Sequence, residues 1–106
     1  MKRFASVTLI AVGISPLALA AALSPSSNLT AYHTASPAER SAVVPAVLAK
    51  VKDEIDTKGK SDADVATEIL PCMDSVDAQV SDADRATQTV TDLGAVCLAQ
   101  LGFQKQ

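Results

Sequence analysis

Residues 61–102, SDADVATEILPCMDSVDAQVSDADRATQTVTDLGAVCLAQLG, decide the fold. The stretch opens twice on the same four letters, once at Ser61 and again at Ser81. At each opening the Ser can accept from a free amide of the first helical turn. The Asp residues that follow sit where the helix dipole favours negative charge. After the first opening, Val65, Ile69, Cys72, Val76 and Val80 recur at helical spacing, with Leu70 and Met73 beside them. After the second, Ala86, Val90, Leu93, Cys97 and Leu101 do the same, and Gly102 ends the run. The pattern predicts two amphipathic helices, near 62–80 and 84–101. SDADVATEIL at 61–70 and SDADRATQTV at 81–90 form a weak internal repeat. It reads as two helix starts rather than as a duplicated acidic site.

Cys72 and Cys97 are the only cysteines, and each falls on the apolar stripe of its helix. A disulfide between the last two helices is therefore predicted. Its register is demanding. A tight turn at Ser81 places Cys72 opposite about residue 90, so Cys97 lies roughly 10 Å further along the axis. A disulfide tolerates only about 4.4–6.8 Å between Cα atoms. The intramolecular bond needs a turn that extends toward residues 84–88, a steep helix crossing, or a bend at Pro71. An intermolecular bridge and two free thiols are the alternatives.

Upstream, Ser36-Pro37-Ala38-Glu39 combines an N-cap Ser, a Pro at the first helical position and a Glu at the third. Val44, Leu48, Val51 and Ile55 continue as a stripe, which predicts a helix near 37–57 closed by Lys58-Gly59-Lys60. Pro45 and Pro71 each fall inside a helical pattern and remove an amide donor. Three main helices can thus become four to five segments. The expected architecture is all-α: a small three-helix bundle over residues 36–106, stapled by one disulfide.

Residues 21–35 (AALSPSSNLTAYHTA) are rich in Ser, Thr and Ala without apolar periodicity, and read as a flexible lead-in. They contain Asn28-Leu29-Thr30, an N-glycosylation sequon that matters only in a eukaryotic source. Further upstream, Lys2 and Arg3 precede an apolar run from Phe4 to Leu17, followed by Ala18-Leu19-Ala20. This is the pattern of a signal peptide over residues 1–20, cleaved after Ala20 or Ala22. An uncleaved anchor from Phe4 to Leu23 has about the 20 residues a span requires. Pro16 interrupts that span, however, and no Lys/Arg cluster follows it. Export implies a secreted or periplasmic protein and an oxidising compartment for the cysteines.

Composition narrows the function. The whole chain carries nine basic and twelve acidic residues, a net charge of −3. Loss of Lys2 and Arg3 with the leader leaves seven against twelve, or −5. Such a surface repels phosphate backbones, and only Tyr32 and Phe103 would remain as stacking aromatics. Nucleic acid is not an expected partner. About 85 residues with few aromatics make a marginal core, which gives the disulfide a structural purpose.

No residue set reads as catalytic, cofactor-binding or metal-ligating. The sole histidine, His33, lies in the lead-in, where no neighbour is expected to hold it against a nucleophile. Asp62, Asp64, Asp82 and Asp84 offer hard oxygen ligands, but neither DADVA nor DADRA has the Gly and final Glu of a calcium loop. Zinc lacks ligands. Paired-carboxylate hydrolysis lacks the walls of a cleft. Asp53, Glu54 and Asp56, interleaved with Lys50, Lys52 and Lys58, read as a solvated helix face. What remains is a non-catalytic protein-interaction module, such as an inhibitor, effector, accessory or immunity-type protein, with an unidentified protein partner. The alternative is a carrier of a small apolar ligand between the helices.

Overall fold

A computed structural model describes residues 23–105. The predicted leader over residues 1–20 and both cleavage points lie outside the described residues. Five α-helices are present among them: α1 (Leu29–Thr34), α2 (Pro37–Lys50), α3 (Asp62–Asp77), α4 (Asp82–Thr87) and α5 (Val90–Gln100). A 3-10 turn at Lys52–Glu54 follows α2. The three long helices α2, α3 and α5 pack against one another, while α1 lies on α4 and α5. The result is a small all-α bundle with one disulfide.

The core is aliphatic. Val44 and Val47 of α2, Val65 and Ile69 of α3, and Val90 and Leu98 of α5 are all buried in it. Burial of this kind stabilises by roughly 1.5–3 kcal/mol per large side chain. The close approach of α2 and α5 depends on Gly94, where an added Cβ would meet Val47 Cγ1 at 2.6 Å.

Local sequence explains the helix ends. At α2, Ser36 Oγ accepts from Glu39 N (3.2 Å), and Ser36 N donates back to Glu39 Oε1 (2.9 Å). Ser61 and Ser81 accept from the amides of Asp64 and Asp84, so both repeated segments are helix starts. At the far end, Gly102 adopts φ 85°. Its amide donates to Ala99 O, and Phe103 N donates to Leu98 O at 2.8 Å. This left-handed cap folds Phe103 back into the core, where it is 3% exposed.

Three boundaries differ from expectation. Pro45 and Pro71 break nothing, and both lie inside continuous helices. Each is exposed, so water can satisfy the carbonyl left without an amide partner while the opposite face stays packed. The extra break comes instead at Gln88, which is extended (φ −92°, ψ 152°) and divides the predicted 84–101 helix. There Thr89 and Asp92 form a second reciprocal cap that starts α5. The helix predicted to residue 57 ends at Lys50, because the chain turns to pair with the C-terminal segment. Asp56 N donates to Phe103 O (2.7 Å), and Lys105 N donates to Glu54 O (3.1 Å).

The flexible lead-in also needs correction from residue 23 onward. Leu29 N donates to Gln88 O, Val90 N to Ser27 O, and Thr91 N to Pro25 O. These bonds lace residues 25–29 to the α4–α5 connection. Asn28 caps α1 by accepting from Ala31 N, and Leu29 and Tyr32 are both fully buried. A six-residue helix holds only two apolar positions on its inner face. That is too few to show as periodicity.

Candidate functional site

The sequence singled out Cys72 and Cys97, and they are bonded with a Cα–Cα distance of 5.8 Å. The register is met by the first of its three routes. The connection between α3 and α5 runs through α4, so its midpoint lies near residue 84 rather than 81. Neither sulfur is a free thiolate, and a Cys–His nucleophile has no basis here.

His33 is held in place, contrary to the expectation for a lead-in residue. Its Nδ1 donates to Asp77 Oδ2 at 2.7 Å. Asp77 projects from the last turn of α3 and is 2% exposed. Its other oxygen accepts from Arg85 Nε of α4 at 3.2 Å. Arg85 Nη2 reaches Asp77 O at 2.5 Å, and Nη1 reaches Asp82 Oδ1 at 2.8 Å. One turn earlier on α3, Asp74 Oδ1 accepts from the Tyr32 hydroxyl (2.7 Å) and from Arg40 Nη1 (3.2 Å). Arg40 also donates to the carbonyls of Tyr32 and His33 and stacks 4.9 Å from the Tyr32 ring centroid. The two carboxylates thus tie α1 to α2, α3 and α4. Burial pushes the Tyr32 hydroxyl well above its ordinary pKa of 10.0. The hydrogen bond and charge of Asp74 add to the shift, and Arg40 opposes it.

This cluster acts structurally as a clamp that joins four helices. Each guanidinium nitrogen of Arg40 and Arg85, the Tyr32 hydroxyl and His33 Nδ1 is engaged by a neighbouring carboxylate or carbonyl. Among the described residues, the His33 ring, 49% exposed at its side chain, makes one hydrogen bond, to Asp77. Sequence reading missed Asp74, Asp77, Arg40 and Arg85. A signal for one of them was present: Val65, Ile69, Met73 and Asp77 run in steps of four, which places a carboxylate on a buried line. Nothing local identifies its partners, which come from α1 and α4.

A second feature lies toward the other end of α5. Its eleven residues, VTDLGAVCLAQ, carry one charge, at Asp92. Ala95, Val96 and Ala99 are exposed on its outer face, with Val96 at 44%. Beside them opens a recess of about 100 Å³ lined by Val51, Ile55, Ala95, Leu98 and Ala99, with Glu54 and Gln104 at its polar edge.

The remaining sequence candidates are separated in space or in role. Asp62 and Asp64 begin α3, and Asp82 and Asp84 begin α4. Among the described residues no group of three or more His, Cys, Asp or Glu side chains is gathered to hold a metal ion. No helix among them is long and apolar enough to cross a membrane. No family model, curated protein or solved structure matches the chain.

Proposed function

We propose that this chain is an exported, non-catalytic interaction module whose docking surface is the outer face of α5 with its adjoining recess. The observation that carries this reading is the contrast in surface chemistry. A fifth of the chain's residues are charged, yet the outer face of α5 presents Ala95, Val96 and Ala99 beside an apolar hollow. A hollow of about 100 Å³ has room for one aliphatic side chain of a partner, the kind of central anchor on which interfaces depend. The fitting occupant is a protein that inserts such a side chain, with small residues packing along α5. The disulfide supports the reading by fixing α5 to α3, so the face is presented pre-formed.

The test is capture from the native source by the processed protein, run beside Val96→Glu and Ala99→Glu. Both substitutions lie on the exposed face and leave the core untouched. One partner held by the parent and lost from both variants supports the surface. Failure to recover any specific partner, or recovery indifferent to both variants, overturns it. The alternative, a carrier of a small aliphatic ligand, would draw on the same recess. Native mass spectrometry showing extractable co-purified mass would favour it over the protein partner.

A further inference from the structure

We infer that Asn28 is an attachment site for an N-linked glycan. The inference rests on the export reading and on a eukaryotic source, and adds a modification to that reading. Three observations combine at this residue. Asn28-Leu29-Thr30 has the acceptor pattern, and both Asn28 and Thr30 are exposed. The Asn28 side chain caps α1 through Oδ1 alone, which accepts from Ala31 N at 3.0 Å. Among the described residues no hydrogen bond engages its Nδ2.

The chemistry suits that division of labour. Transfer from a lipid-linked oligosaccharyl diphosphate forms a bond from the sugar's anomeric carbon to Nδ2. The bond from that carbon to the diphosphate oxygen breaks, Nδ2 gives up one proton, and the lipid diphosphate leaves. The side-chain carbonyl is unchanged, so the glycosylated residue still caps the helix. Asn28 also sits beside Thr89, immediately before α5. The recess residues Ala95, Leu98 and Ala99 lie six to ten positions further on, roughly 9–15 Å along the axis. Asn28 is therefore not itself part of the proposed docking face.

The test expresses the full chain with its own N-terminus in cultured eukaryotic cells, as parent, Thr30→Ala and Thr30→Ser. Replacing Asn28 itself would remove cap and acceptor together, whereas Thr30→Ala separates them. Medium and cell fractions are compared by intact mass before and after peptide N-glycosidase. Parent and Thr30→Ser should carry enzyme-removable mass that leaves Asp at position 28. Thr30→Ala should lack it while keeping its helicity and disulfide. Parent protein in the medium without a glycan overturns the site and leaves export standing. Glycosylated protein retained in the cell supports the site and counts against export. Unglycosylated protein confined to the cytosol overturns both.

Discussion

The last helix and the first are held by opposite means. α5 is seated by aliphatic packing and by a covalent bond to α3, with Val90, Leu98 and Cys97 buried and Gly94 pressed against Val47. α1 buries Leu29 and Tyr32 and is tied at its start to Gln88, but its far end is aligned by Asp74 and Asp77, which reach from α3 to Tyr32 and His33. Apolar packing tolerates small shifts because dispersion and burial are non-directional. The carboxylate clamp does not, since each oxygen has named donors at fixed distances. The difference separates what anchors this domain from what aligns it.

The sharpest way to break the contrast is at Asp77. Asp77→Ala removes the buried carboxylate from Arg85, 8% exposed, leaving it only the exposed Asp82 and the backbone carbonyl of residue 77, and should cost up to about 3–5 kcal/mol in urea unfolding. Asp77→Leu combined with Arg85→Met removes both charges, and should recover most of that loss, because a buried ion pair is often replaceable by apolar groups. A single variant costing less than about 1 kcal/mol would mean that the clamp is solvated like a surface pair.

Next in size is the staple. The disulfide joins residues 25 apart, and loop closure of that length is worth roughly 3–3.5 kcal/mol. Cys72→Ala with Cys97→Ala should lower the urea midpoint by a corresponding amount. Hydrogen exchange should quicken in α5 more than in α1. Equal acceleration in the two helices would show that α1 is held mainly through α5 rather than by the carboxylate clamp.

The same division explains what could be read from the chain. The α2 stripe through Val44, Leu48 and Val51, the caps at Ser36, Ser61 and Ser81, and the cysteine pair all leave local or periodic marks, and each is found in place. The clamp leaves almost none. Arg85 reads as an ordinary charge in a helix start, and His33 as a residue of a polar segment. Their roles exist only once Gln88 breaks the helix and α4 turns Arg85 toward the end of α3. Thr89-Val90-Thr91-Asp92 did carry the missed break, since a Thr three residues before an Asp is a capping pattern. The apolar stripe running through Val90 masked it.

Tyr32 gives the finest test, because it belongs to both devices: its ring is buried in the core and its hydroxyl is held by Asp74. It is the only tyrosine and the chain has no tryptophan, so phenolate absorbance reports this one group. A folded-state pKa raised above the unfolded value means that the native fold holds the proton more tightly. This contribution is fully present below about pH 10, the ordinary tyrosine value, and is lost as pH climbs beyond it. Phenolate should therefore be absent while helicity persists above pH 10, and should appear together with the loss of helical circular dichroism. Tyr32→Phe should remove this component of the alkaline instability while giving up the bond to the Asp74 carboxylate, worth about 1.5–3 kcal/mol at neutral pH. A phenolate signal at pH 10 in protein that is still fully helical would place the hydroxyl in water, and with it the end of α1 that the clamp is meant to hold.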